Sequence, residues 1–296
     1  MMVKRMNDLL LRVLCCMAVT ATVTGCIKDD LTNCANTYSL TIRAYVQSGA
    51  ELDASDVKEV SLFLFDGMHC FRQRIDTQIG ERVRLDVPAG EDIHLIAWGN
   101  LTQGGQTYTN PAVGDLPQEC FVSLTPTTRA TSYALSPDDL FRGGITIAAN
   151  DRSGDKILPI YREMGSMAVT VRNVKGFTGI TDNDFSIVVR ETCSVIDFNG
   201  LKSGDKVSYL PAGAFASGTN PDYLVPTFNM VSEDAGLEID ICHGTNVIAT
   251  VSTDKTGAPI TIEKGKLTNI LIELTAEVNV SMSINDWGSV EGWKIF

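Results

Sequence analysis

Histidine is scarce in this chain of 296 residues: there are three, His69, His94 and His243, and no two share the i, i+4 spacing of a metal-binding helix. No His-Glu-x-x-His, Cys-x-x-Cys or EF-hand loop occurs, so the local patterns that hold a metal are missing. Asp182-Asn183-Asp184 offers oxygens to a cation, but Gly179 and Thr181 beside it make a solvated turn the better reading. There is no Gly-x-Ser-x-Gly elbow, phosphate loop or dinucleotide fingerprint, and Asp138 and Asp139 are adjacent, so on a strand they would point apart. The expectation is a protein without catalysis, metal or cofactor. Basic charge is also in short supply, since the net charge is −12 with no basic run, which argues against nucleic-acid binding. No apolar run approaches the roughly 20 residues that span a bilayer.

What is present begins with a secretory signal. Lys4, Arg5 and Arg12 precede an apolar run from Val13 to Val23, which at about eleven residues suits a processed signal rather than a membrane helix. Val23-Thr24-Gly25-Cys26 then supplies the small residues and cysteine that a lipoprotein signal peptidase reads. Cleavage would make Cys26 the acylated N-terminus, and two or more acyl chains give lasting membrane attachment. Loss of residues 1–25 takes the charge to −14. Lys28, Asp29 and Asp30 resemble the lysine-plus-acids signal that routes lipoproteins of some Gram-negative anaerobes to the outer face of the outer membrane.

Of eight cysteines, Cys15 and Cys16 leave with the signal, and five remain after Cys26 is acylated. The compartment permits disulfides, and Cys34 with Cys70 is the expected pair, both falling early in the mature chain. Cys120, Cys193 and Cys242 read equally well as buried thiols.

Beyond the tether the dominant pattern is period two. Tyr38, Leu40, Ile42, Ala44 and Val46 alternate with polar residues as in a half-buried strand, whereas Val60 to Phe65 is apolar nearly throughout, as in a strand covered on both sides. Val83 to Val87 and Ile93 to Trp98, joined through Pro88-Ala89-Gly90, read as a hairpin. Residues 99–117 read as a long surface loop, Ser136 as the cap of a short helix, and Asn150 to Asp155 as a domain boundary. Seven further strands are expected between Met167 and Ile284. The result is an all-β chain with a signal at 1–25, a lipidated tether at 26–37, and two tandem β-sandwiches at 38–154 and 155–296.

Five segments in order resemble the FimB-like family of fimbrium anchor subunits: Cys26 through Cys34, Leu62-Phe63-Leu64-Phe65-Asp66, Val87-Pro88-Ala89-Gly90 with Ala97-Trp98-Gly99-Asn100, Asp139-Leu140-Phe141, and Ile284-Asn285-Asp286-Trp287. The resemblance implies transthyretin-like sandwiches and an anchor or minor accessory subunit of a type V pilus. It also implies outer-membrane attachment through Cys26 and stalk subunits as partners, joined by β-strand addition. Only Gly288 to Phe296 follows the last segment, so a long C-terminal donor strand is not expected; Val290, Trp293, Ile295 and Phe296 are the candidate subunit contacts. Arg129 reads as a loop arginine rather than a processing site. The competing reading is a surface glycan-binding lipoprotein that stacks sugars on Trp98, Trp287 or Trp293.

Overall fold

The computed structural model describes residues 36–88, 90–127, 133–151, 154–218, 221–276 and 278–287. In chain order the strands are β1 (Asn36–Tyr45), β2 (Val60–Phe65), β3 (Phe71–Thr77), β4 (Arg82–Val87), β5 (Ile93–Gly99), β6 (Gln106–Tyr108), β7 (Phe121–Leu124), β8 (Tyr133–Ala134), β9 (Phe141–Ile147) and β10 (Asp155–Arg162). They continue with β11 (Met164–Arg172), a single helical turn α1 (Val174–Thr178), β12 (Phe185–Asp197), β13 (Lys202–Tyr209), β14 (Ala214–Phe215), β15 (Tyr223–Val231), β16 (Glu238–His243), β17 (Asn246–Val251), β18 (Lys266–Leu274) and β19 (Val278–Asp286). The all-β expectation holds.

The first sheet has the order β3-β2-β5-β9-β10-β1-β4. Inward residues of β1 (Leu40, Ile42), β4 (Val83, Leu85), β2 (Leu62) and β5 (Leu95) meet in one buried cluster, so this single sheet folds over to enclose its own core. The second sheet, β14-β15-β11-β18-β19, stacks on the third, β17-β16-β12-β13-β8, around a core that includes Val169, Ile187, Val189, Ile239 and Ile270. A third core lies between these two bodies. In it Phe63, Ile96 and Trp98 from the outer face of β2 and β5 meet Val122, Ile196 and Phe198. The apolar run of β2 is therefore explained: Val60, Leu62 and Leu64 serve the first core, Phe63 and Phe65 serve the third, and Ser61, also buried, donates to Asp76 Oδ1 at 3.0 Å.

Several expectations change. The hairpin of residues 82–98 does not form: among the described residues β4 pairs with β1, while β5 lies between β2 and β9. The physical reason is facing. Arg82, Arg84 and Asp86 need water on one side of β4, which suits an edge, whereas β5 has apolar residues on both faces and needs an interior place. Residues 99–117 are no free surface loop, because Leu101 is buried and β6 pairs with β7, which joins β12 of the third sheet. No helix starts at Ser136; its hydroxyl instead accepts from the Asn229 amide at 3.0 Å, and the Asp138 amide donates to Gln106 Oε1 at 2.9 Å. The division expected between 154 and 155 does not follow a sheet boundary, since β10 runs parallel to β1 from Ser39↔Asp155 to Tyr45↔Tyr161 and completes the first sheet. Glu163 alone separates β10 from β11.

Candidate functional site: the junction and the free edge beside it

The chain passes from the first sheet to the second at Arg162-Glu163-Met164, and two buried ion clusters form there. Arg162 donates from Nε to Asp139 Oδ2 at 2.8 Å and lies 3.5 Å from Asp56 Oδ1. Its guanidinium is held between aromatic rings, 5.2 Å from the centre of Phe141 and 5.0 Å from that of Trp287. Planar, weakly hydrated and always charged, arginine is the cation suited to such a slot. Glu163, 3 % exposed, accepts from Arg142 Nε at 3.0 Å and pairs with Lys264, so each of its oxygens meets a cation. Buried charges are costly unless paired, and the pairing here fixes the junction's geometry. Burial raises the Asp139 carboxyl to about 6 despite Arg162 beside it.

Asn100 braces the same region. It sits in the left-handed region at φ 58°, which Asn tolerates, and donates to the carbonyls of Asp56 (2.8 Å) and Asp139 (2.9 Å) while accepting from the Lys58 amide (2.9 Å). A Cβ at Gly99 would meet Val57 and Phe141, so Gly99-Asn100 is a close approach of backbone that larger residues would block.

β19 returns to this junction. It pairs with β18 in a register from Leu274↔Val278 to Lys266↔Asp286, and it ends the second sheet. Lys266 also pairs with Asp286, the Trp287 amide donates to the Gly265 carbonyl at 3.3 Å, and the Gly265 amide donates to that of Met164 at 2.8 Å. On its outer side, the Val280 carbonyl accepts from the Lys255 amide at 2.8 Å, and no other strand among the described residues lies along it. Trp287, the last described residue, therefore lies at the seam between the two bodies, at the end of an edge strand of nine residues.

Cys26, Lys28, Asp29, Asp30 and Cys34 lie outside the described residues, as do Arg129, Val290, Trp293, Ile295 and Phe296. Cys70 carries a free thiol 3.9 Å from the Met68 carbonyl, and Cys120, Cys193 and Cys242 are free as well. Trp98 is 0 % exposed and packs against Phe198 at 5.9 Å, so it cannot stack a sugar; that part of the glycan reading is corrected. The groups that might have held a cation at 182–184 are engaged internally. Asp182 pairs with His243 Nε2 at 2.9 Å, and the Lys175 ammonium takes Asn183 Oδ1 at 2.7 Å and the Thr181 carbonyl at 2.9 Å. His94 does lie in step with Ile96 and Trp98, stacked on His69 at 3.8 Å between ring centres, and burial with that second imidazole lowers its pKa. The Arg162 clasp escaped the sequence reading, although three of its members, Asp139, Phe141 and Trp287, fall in segments that carried the family resemblance.

Three sheets whose buried ions and aromatics hold one another in place define an all-β protein. The family of fimbrillin-A associated anchor proteins Mfa1 and Mfa2 matches residues 31–292, and this chain belongs to it. The major fimbrium anchoring subunit FimB of Porphyromonas gingivalis is 26 % identical over 289 residues, covering 90 % of this chain and 91 % of FimB; FimB of strain W83 matches to the same extent. The fimbrial anchor protein Mfa2 of Porphyromonas gingivalis superposes with a TM-score of 0.62 at 11 % identity, covering 86 % of this chain and 98 % of Mfa2.

Proposed function

We propose that this chain is the lipid-held anchor, or a minor accessory subunit, of a fimbrium at the outer face of the outer membrane. Cys26 would carry the acyl chains, Lys28, Asp29 and Asp30 would route the protein to the surface, and the stalk would be engaged by β-strand addition at the β19 edge and the tail that follows it. Membership of an anchor family supports a fimbrial location. The observation that carries the reading is the position of the two ends. β1 begins ten residues after Cys26, and the last described residue, Trp287, lies beside β19, a nine-residue strand at the end of the second sheet, where an incoming strand would find its place.

The test is the intact mass and N-terminal sequence of the protein from purified outer membranes and from sheared fibres, for the natural chain, Cys26→Ser, and a deletion of 288–296. The expected result is a triacylated Cys26 in the membrane fraction with fimbrial subunits co-purifying, loss of fibres to the medium with Cys26→Ser, and detached or overlong fibres with the deletion. A non-lipidated N-terminus in the fibre fraction would overturn the anchor reading. Attached fibres of normal length in the deletion strain would remove the tail from it.

A further inference from the structure

We propose that a pocket at the seam between the first and third sheets binds a small, doubly charged oxyanion through Arg142, His94 and His69. The pocket, of about 250 Å³, lies beside the third core. It is smaller than the roughly 300–1,000 Å³ of sites for drug-sized ligands, so its guest is small. The hollow exists because of one glycine. On the face of β5 and β9 that looks toward the third core, His94 stands opposite Thr146, Ile96 opposite Gly144 and Trp98 opposite Arg142. Gly144 brings no side chain to the middle row, so the stretch of about 13 Å between the His94 and Arg142 positions is left open, with the imidazole at one end and the guanidinium at the other. Asn199, two residues past β12, closes the far side. His69, at φ 60° on the turn between β2 and β3, stacks its ring on His94 with 3.8 Å between centres. His69 and Asn199 are exposed, and His94 and Arg142 are half-buried, so a guest can reach all four.

The charges around the pocket favour an anion. In a chain of net charge −12, its described lining holds no carboxylate. Arg142 gives Nε to Glu163 at 3.0 Å, and Glu163 also pairs with Lys264, so two cations meet one buried carboxylate and a positive charge is left over. The terminal nitrogens of Arg142 remain to donate, and arginine presents them as a rigid fork suited to oxyanions. The guanidinium is held in place by Gly200, at φ 88°, where a Cβ would collide with it. The carboxylates nearest the imidazoles are engaged with other groups. Asp66 accepts from the amides of Met68 and Cys70, each at 2.9 Å, and pairs with Arg72, while Asp92 accepts from the Ala149 amide at 2.8 Å. His94 Nδ1 meets Thr146 Oγ1 at 2.9 Å, which leaves Nε2 for a guest. Burial together with the His69 ring holds the His94 pKa below its ordinary value, since two stacked imidazoles resist double protonation. A bound anion relieves that repulsion, so anion and proton bind together and affinity rises as pH falls. A metal ion is not favoured by the same pair. The rings lie within 16° of parallel, so their in-plane lone pairs run side by side instead of converging, and among the described residues no three His, Cys, Asp or Glu are placed to hold a metal. The pocket involves neither Cys26 nor β19 and does not depend on the anchor reading.

The test uses the mature chain with Cys26→Ser to keep it in solution, labelled at histidine for nuclear magnetic resonance and titrated from about pH 8 to about pH 5. Sulfate and oxalate, both doubly charged throughout, are compared with chloride at equal ionic strength. The chain has three histidines, and His243, paired with Asp182, serves as the internal reference. The expected result is that sulfate or oxalate moves the titration midpoint of His94 up by about half a pH unit or more and leaves that of His243 in place, with affinity by calorimetry rising about tenfold from pH 8 to pH 5. A response to sulfate alone assigns a tetrahedral, phosphate-like guest, and a response to oxalate alone assigns a carboxylate. Asn199→Asp puts a carboxylate at an exposed place in the lining without changing its shape, and should weaken binding tenfold or more. His69→Asn keeps a residue that tolerates the left-handed backbone and should weaken binding at the acid end. Asn246→Asp, exposed on β17, is the control and should change nothing, each variant keeping the natural circular dichroism spectrum. No movement of His94 beyond the chloride control with either anion overturns the proposal. So does binding that survives Asn199→Asp, or that Asn246→Asp weakens equally.

Discussion

Phe198→Ala tests whether the third core welds the two bodies into one cooperative unit. Phe198 is fully buried just past β12, with its ring 4.7 Å from Phe63 and 5.9 Å from Trp98, both of which belong to the first sheet. A buried phenylalanine removes about 200 Å² of apolar surface from water, and at about 25 cal/mol per Å² that contributes about 5 kcal/mol. Alanine keeps a part of this and leaves a cavity that the sheets on either side cannot close, so a loss of about 3–5 kcal/mol is expected. Because the first core and the core of the second and third sheets are untouched, the loss falls on the coupling between them. The assay is equilibrium urea unfolding followed by tryptophan fluorescence, read in a Trp293→Phe background so that the signal comes from Trp98 and Trp287, both packed on the third core, and by far-ultraviolet circular dichroism, which reports all three sheets. The natural chain should show coincident transitions; Phe198→Ala should unfold at lower urea, with the fluorescence change preceding the loss of strand signal. Phe177→Ala, at an exposed position of α1, serves as the control and should change stability little. A loss below about 1 kcal/mol with coincident curves would refute the claim that this core couples the bodies.

Gly143→Ala places a Cβ onto the Pro159 carbonyl where β9 crosses β10, and backbone cannot yield there as a side chain would; a loss of more than about 3 kcal/mol or failure to accumulate is expected, against little change for Gly154→Ala, whose Cβ meets nothing within 4 Å. For Asp139 the folded pKa is raised to about 6 from 3.8, so between those values the folded state binds more protons than the unfolded one and stability falls as pH rises. Comparing urea midpoints at pH 4.5 and 7 should show Asp139→Asn without this component, which amounts to about 2–3 kcal/mol; an identical pH slope in the two proteins would show that the carboxyl is not perturbed as described. A non-reducing peptide map of secreted protein tests the proposed Cys34–Cys70 pair, which would appear as one joined peptide, while Cys120, buried and pushed up to about 11 by desolvation with Asp115 and Glu119 nearby, should resist maleimide until the chain is denatured. Recovery of the Cys34 and Cys70 peptides separately would remove the disulfide.

The sequence shows its strands where one face is apolar and the other polar, as in β1, or where both are apolar, as in β2. It hides those whose burial depends on distant partners. Only Phe71 of β3 is fully buried, because β3 closes an edge and its Arg, Gln and Asp side chains face water, so its period is faint. β10 is masked by the polar run before it; its inward residues Leu158 and Ile160 find their place beside β1, more than a hundred positions earlier, which no local pattern can announce. The same holds for the hairpin that failed: a short turn between two strands favours their pairing, but β5 gains more from burying Ile96 and Trp98 in the third core than from lying next to β4. The role proposed for Cys26 rests on linear sequence alone, which is what a signal peptidase would read. The Arg162 clasp is not legible in that way, because Asp56, Asp139, Phe141 and Trp287 are brought together only by the sheets.

The directions of the strands carry a last consequence for an anchor. β1 starts at the end of the first sheet nearest the tether and finishes at Tyr45, opposite Tyr161 and so one residue short of Arg162. Trp287, the last described residue, has its ring 5.0 Å from the guanidinium of that same arginine. A pull between Cys26 and the tail would thus draw β1 by its first residue and β10 by its last. Since the two are parallel, their hydrogen bonds would be loaded together in shear rather than one after another. At the other end of the line β19 is drawn by its last residue from a neighbour antiparallel to it, a geometry in which pairs open one at a time, beginning with Lys266↔Asp286. Resistance to that opening rests on the Lys266–Asp286 ion pair, the Trp287 amide on Gly265 and the ring of Trp287 on Arg162. The clasp therefore stands where detachment would start.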